Sequence, residues 1–357
     1  MGKIAIKFKK TGLVILFFIG ILITTLSIYG IGANKLTSEI PKIKKLGFVV
    51  SPTTTPFLFS EMTIPAMRSR GYDSKLNELS KYSENSSYTS YLTSYGSDGF
   101  KINGLLTIPK GNKPANGYPA VVFVHGYIAP TIYKTTERYG DYVNYLARNG
   151  FVVFKIDLRG HGDSEGDASG AYYSADYVVD TLNAYSALQN FDVVNPKTIG
   201  LWGHSMSGNV VFRAFTVKPE IPAVVIWAGS GYSYTDLQEY RISDNSYRPP
   251  LQNTQRARKR QLLRDAHGDF NSNSEFWKQV VPTNYVNDLK GAIQLNHAIN
   301  DNVVSIEYSR NLEKILGTTN IFHELNKYPS GGHNITGPYF VTAMQNTVNF
   351  YKKYLGS

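Results

Sequence analysis

The chain contains no cysteine. That excludes disulfides, thiolate catalysis and cysteine-ligated metals, although it does not assign a compartment, because exported proteins need not carry disulfides. Acidic residues are outnumbered, 27 against 37 Lys and Arg, for a formal net charge of +10 over 357 residues. A basic balance is compatible with nucleic acid or an anionic surface. However, no zinc-ligand spacing, nucleic-acid motif or aromatic-basic ladder is present, so no nucleic-acid partner is expected. Part of the excess is local. Lysines 3, 7, 9 and 10 precede an apolar run, Lys35, Lys42, Lys44 and Lys45 follow it, and RARKR lies at 256–260. With 42% hydrophobic residues, the chain can bury one large core or two modest ones.

Residues 11–32, TGLVILFFIGILITTLSIYGIG, carry no charge. At about 1.5 Å per residue they are long enough for a bilayer core of about 30 Å. A cleaved signal peptide usually has a shorter apolar region, about 7–15 residues. The sequence therefore predicts a basic N-terminal segment (1–12) and an uncleaved transmembrane signal anchor (13–32). A tether and extension (33–87) and a catalytic domain (88–357) follow. The lysines close to the start place the domain outside the cytoplasm, as a single-pass membrane protein.

From Tyr88 the pattern becomes regular. Two strands flank a Ser97-Asp98-Gly99 turn, Asp-Gly supplying the positive φ of a hairpin. Apolar strands at 119–126, 151–160, 198–205, 223–230, 292–301 and 320–328 then alternate with helices at 135–149, 174–190, from 208, up to 316, and at 337–355. Such alternation predicts a mostly parallel, doubly wound α/β sheet covered on both faces. Residues 231–290 break the rhythm and read as a helical cap inserted after a strand, on the side where such sheets bind ligands.

Within GHSMSG (203–208), small residues surround Ser205 at a strand-to-helix apex, as a strained turn exposing a nucleophile requires. Ser207 stands where glycine is usual, in the first helical turn, and reads as structural. A serine hydroxyl needs a base, an acid orienting that base, and donors for the oxyanion. His333, in the Gly-rich loop SGGHN after the last strand, is the expected base. Asp301, just past QLNHAIN, is the expected acid. Asp157 precedes the serine in the chain, Asp288 lies before its strand, and His204 adjoins the serine with its ring expected to point away. The oxyanion donors would be the backbone amides of Met206 and Tyr127.

From about Tyr88 onward the chain resembles the α/β-hydrolase superfamily. The segments SDGFKINGLLTIPKG, DLRGHGDSEG, GHSMSG, PTNYVNDLKGAIQLNHAINDNVVSIEYSRNLEKIL and GGHN look like the catalytic domain of prolyl oligopeptidase-type serine peptidases and related single-domain esterases. The resemblance implies the order Ser205, Asp301, His333, no metal or organic cofactor, and a peptide or small ester substrate. Three departures stand out. Ser207 replaces a glycine. Asn296-His297-Ala298 replaces the usual His-Gly context before the acid. The roughly fifty residues between the apolar span and the domain leave no room for a propeller gate, which needs several blades of about forty residues. A peptidase is favoured on residues 97–111 and 282–316. The alternatives are a carboxylesterase acting on small or lipid-like esters and a non-catalytic hydrolase-like binding domain.

Overall fold

A computed structural model describes residues 58–168, 170–242 and 255–356. Its strands are β1 (Ser80–Glu84), β2 (Tyr88–Ser97), β3 (Phe100–Pro109), β4 (Tyr118–Val124), β5 (Val152–Ile156), β6 (Val194–His204), β7 (Ala223–Trp227), β8 (Ala292–Ala298) and β9 (His323–Tyr328). They form a single nine-stranded sheet in the order β1-β2-β3-β5-β4-β6-β7-β8-β9. From β5 to β9 all pairings are parallel, and β1, β2 and β3 join antiparallel. The order reverses at β4, and β4, β5 and β7 are buried along their whole length. The β2–β3 hairpin turns as its Asp-Gly predicts, with Asp98 at φ 52° and Gly99 at φ 81°.

The helices are α1 (Ile64–Ser69), α2 (Gly140–Arg148), α3 (Asp176–Gln189), α4 (Ser207–Val217), α5 (Tyr234–Glu239), α6 (Gln255–His267), α7 (Glu275–Val280), α8 (Glu307–Leu316) and α9 (Phe340–Leu355). One apolar layer joins the sheet to α3, α4 and α8 through residues such as Val179, Val211 and Leu312. The opposite layer joins it to α2 and α9 through Leu146, Met344 and Tyr351. Two covered faces explain why the parallel strands read as continuous apolar runs rather than alternating ones.

The described part of the cap contains three helices joined by turns and irregular segments. Helices α5, α6 and α7 share an apolar cluster of Tyr234, Leu263, Phe276 and Trp277. Met62, which precedes α1, belongs to the same cluster.

The boundary expected at Tyr88 lies too late. Strand β1 joins the sheet, and α1 buries Ile64 and Met67. Thr63 caps that helix, accepting from Ala66 N at 3.3 Å, and Pro65 supplies a φ already suited to the first turn. Arg68 then donates to Thr216 O at the end of α4. The segment lacks a legible pattern because α1 has under two turns and all five residues of β1 are exposed. The expected anchor at 13–32 lies outside the described residues. Among the described residues, no helix is long and apolar enough to cross a membrane.

Candidate active site

Ser205 sits where β6 turns into α4, at φ 56°. A non-glycine residue rarely adopts this left-handed conformation, and it persists only where the surroundings enforce it. They do so here. Ser205 N donates to Trp227 O at 3.0 Å, and Ser205 O accepts from Gly208 N at 2.8 Å. Two glycines make the turn possible. A Cβ at Gly203 would meet Ser207 O at 2.6 Å, and one at Gly208 would meet Gly229 Cα at 2.6 Å. Ser207 opens α4, is fully buried, and donates its hydroxyl to His125 O at the end of β4. The extra side chain therefore ties two strand ends together and leaves the turn intact.

Asp301 and His333 approach each other from the loops after β8 and β9. His333 Nδ1 donates to Asp301 Oδ2 at 2.8 Å. The two loops are also joined by Gly332 N, which donates to Asn300 Oδ1 at 3.0 Å. Gly331 has φ 121°, and a Cβ there would meet Ile335 Cα at 2.8 Å, so glycine is needed for the bend that delivers His333. The Asp301 side chain is wholly buried. Its Oδ1 accepts from Val303 N and Val304 N at 2.8 and 3.0 Å. Burial by itself raises a carboxyl pKa, but hydrogen bonds from His297 and His333, with the backbone donors, outweigh it and hold Asp301 well below the usual range. His297 is thus a second neighbour of the acid, its Nε2 lying 3.3 Å from Oδ2 and 3.0 Å from Val304 O. Because Val304 O can only accept, Nε2 carries a hydrogen, and Nδ1 lies 2.8 Å from Ser309 Oγ.

His204 does not point away from this assembly. Its Nε2 donates to His333 O at 2.9 Å, and the two imidazoles lie 4.6 Å apart. Its Nδ1 faces the Tyr139 hydroxyl at 2.8 Å, and that hydroxyl accepts from Gly126 N at 2.9 Å. The proton inventory is unambiguous. His333 O only accepts, so Nε2 carries the hydrogen and Nδ1 accepts from Tyr139. Burial and the facing His333 push the His204 pKa down to about 3, which keeps the ring in this neutral form. Tyr139 and His204 thereby fix the backbone of His333 and the residue before Tyr127 to one another. Sequence reasoning missed this link because it placed Tyr139 inside a helix expected over 135–149, whereas the helix begins at Gly140 and Tyr139 precedes it at φ 56°.

Ser205 lines a cavity of about 260 Å³ together with Tyr127 and Met206, the two expected oxyanion positions. Cap residues Leu237, Arg241 and Arg260 also line it. Among the described residues, the side-chain hydrogen bonds of His333 go to Asp301, and none comes from the Ser205 hydroxyl. The remaining candidates are elsewhere. Asp157 accepts from Tyr133 Oη and Thr135 Oγ1 and is pushed up to about 6, chiefly by burial. Asp288 pairs with Arg68. His267 stacks on Phe276 within the cap. Among the described residues, no cluster of His, Asp or Glu could hold a metal.

A parallel sheet reversing at β4, a strained serine turn after β6, and an acid and a histidine after β8 and β9 define the α/β-hydrolase fold. The comparisons agree. A sequence profile of the family described as serine aminopeptidase, S33, matches residues 117–249, less than half of the chain. Thiohydrolase aneE of Aspergillus aculeatus is 33% identical over 151 residues, 42% of each chain. Acetyl xylan esterase 1 from Thermoanaerobacterium superposes with a TM-score of 0.56 at 21% identity, covering 81% of this chain and 91% of the esterase. Dipeptidyl peptidase 4 of Porphyromonas gingivalis gives 0.58 at 18% identity, covering 75% of this chain and 36% of the peptidase. The chain spans about two fifths of the length of the curated relatives it matches first. The chain therefore has the α/β-hydrolase fold, with residues 117–249 similar to the serine aminopeptidase, S33, family.

Proposed function

We propose that the chain is a serine hydrolase that cleaves ester or amide bonds through an acyl-enzyme. Ser205 Oγ attacks the carbonyl carbon while His333 Nε2 takes its proton. The oxyanion is held by the backbone N–H groups of Met206 and Tyr127. His333 returns the proton to the leaving group, and water then repeats the sequence to release the acid. Asp301 stays ionised throughout, orients the ring and stabilises its charged form. The observation that carries this reading is the double fixation of His333. Its ring is bonded to buried Asp301 and its backbone to His204, the residue next to strained Ser205.

The prolyl oligopeptidase-like reading rests on the segments at 97–111 and 282–316, the latter carrying Asp301. The carboxylesterase reading draws support from the cavity, whose volume of about 260 Å³ suits a small acyl group under a cap. Kinetics on the purified full chain with 4-nitrophenyl butyrate and with aminoacyl 4-nitroanilides separate the two. Turnover of either, abolished by Ser205→Ala, supports the serine hydrolase. Turnover that survives Ser205→Ala overturns it. The apolar segment 13–32 would hold this chemistry at a membrane, a placement that extraction of the full chain by detergent but not by high salt would support.

A further inference from the structure

We propose that the cavity beside Ser205 selects substrates that carry a carboxylate, received at its cap end by Arg260 and Arg241. The proposal rests on the hydrolase reading of Ser205 and names the substrate class for it.

Two arginines line this small cavity, and among the described residues no Asp or Glu does. Several other arginines of the chain meet carboxylates or carbonyls, while Arg138, Arg148 and Arg258 have no ion pair among the described residues. Arg159, nearly buried, meets Asp98, Asp176 and Asp180. Arg68, Arg70, Arg264 and Arg310 each pair with a carboxylate. Arg213, fully buried, donates to the carbonyls of Met62, Ala171 and Ser174. Among the described residues, Arg241 and Arg260 have no carboxylate partner.

Arg260 is the more telling. Its guanidinium lies over the Tyr173 ring, 4.5 Å from the centroid, with Nη2 at 3.4 Å from the Tyr173 hydroxyl. That contact orients the plane without cancelling the charge. Its Nε is buried and has no hydrogen-bond partner among the described residues. An anion in the cavity would meet a guanidinium whose charge no carboxylate among the described residues offsets. The neighbouring acid on this side, Asp176, is already engaged by Arg159 and Lys259. Arg241 stands at φ 55°, its carbonyl held by Tyr308 Oη at 3.0 Å, and the next residue, Ile242, bridges to Val304 beside the Asp301 loop. The cap thus places one cation by a ring and the other by a pinned backbone, both facing the cavity that holds the serine.

The test uses matched ester pairs on the full chain at low ionic strength, where surface screening is weakest. Mono-4-nitrophenyl adipate against 4-nitrophenyl hexanoate puts the carboxylate on the acyl side, and 4-acetoxybenzoate against phenyl acetate puts it on the leaving side. The expected result is a kcat/KM ratio of at least about tenfold in favour of the anion in one pair. The ratio falls towards unity in Arg260→Gln and Arg241→Gln, and is partly kept in Arg260→Lys, which folds with its charge in place. Serine-dependent hydrolysis of the neutral esters with no anionic preference in either pair overturns the proposal and leaves the hydrolase reading standing. A preference that survives both Gln substitutions also overturns it. Failure of Ser205-dependent hydrolysis on all four esters overturns the proposal, and failure on the aminoacyl 4-nitroanilides as well removes the hydrolase reading.

Discussion

The sheet side and the cap side of the site are built in opposite ways. On the sheet side the groups around Ser205 are bonded. Asp301 accepts from two backbone amides and from His333, His204 uses both ring nitrogens, and even Ser207 reaches a carbonyl. On the cap side the cations wait. Arg260 Nε is buried and unpartnered, and Arg241 has no ion pair among the described residues. The contrast teaches a division of labour. On the proposed reading, the groups that would perform the chemistry are held before substrate arrives, which lowers the reorganisation needed in the transition state. The arginines proposed to recognise the substrate have no carboxylate partner among the described residues.

The largest effect belongs to the sheet side. Ser205→Ala and His333→Ala are each expected to lower kcat by about a thousandfold or more, with far-UV dichroism unchanged. A loss of under tenfold for either in ester kinetics would break the claim that this side is preset for catalysis.

Tyr139→Phe comes next. It deprives Gly126 N of its acceptor and His204 Nδ1 of its donor. The expected result is a fall in kcat of about tenfold, as for groups that orient a ligating or catalytic side chain. Unfolding in urea should show about 1–3 kcal/mol lost. Unchanged kcat with that stability loss would show Tyr139 to be a packing residue alone.

Acid should weaken the fold. His125 and His204 are both pushed down to about 3, by burial first and then by the facing His161 and His333. In the unfolded chain they would protonate near the ordinary value of about 6.5. The unfolded state therefore binds more protons between these limits, and stability falls as pH drops from about 6.5 towards 3, by up to about 1.4 kcal/mol per pH unit for each histidine. Asp157, raised to about 6 by burial, holds a proton in the fold that the unfolded chain has lost, which offsets part of this below pH 6. The urea midpoint at pH 5 should lie below that at pH 7, and a higher one would contradict the buried, neutral state of His204.

The smallest effect is expected at Ser207. Ser207→Ala removes one buried hydrogen bond to His125 O, so it should cost about 1 kcal/mol and leave kcat within about threefold.

Much of this was legible in the chain because the parallel strands are uniformly apolar and the helices between them amphipathic. The positions of β4, β6, β7 and β8 follow from that alone. The strained turn at Ser205 could be read because only small residues fit around it, and the loop of His333 because its glycines are local. What escaped depends on contacts distant in sequence. Helix α1 is held by Arg68 reaching Thr216, and β1 by pairing with β2. Neither leaves a period in the sequence. His204 was expected to turn away from the site, since alternation along β6 does put it on the other face from Ser205. The loop carrying His333 returns over that face and meets it there. The basic run at 256–260 was ambiguous by itself. Only the fold separates Lys259, paired with Asp176, from Arg260, which lines the cavity.

The most direct measurement is labelling of the purified protein with a fluorophosphonate, followed by peptide mass mapping. An adduct on Ser205, lost in His333→Ala, is the predicted result. An adduct on Ser207, or none on folded protein, would contradict the account.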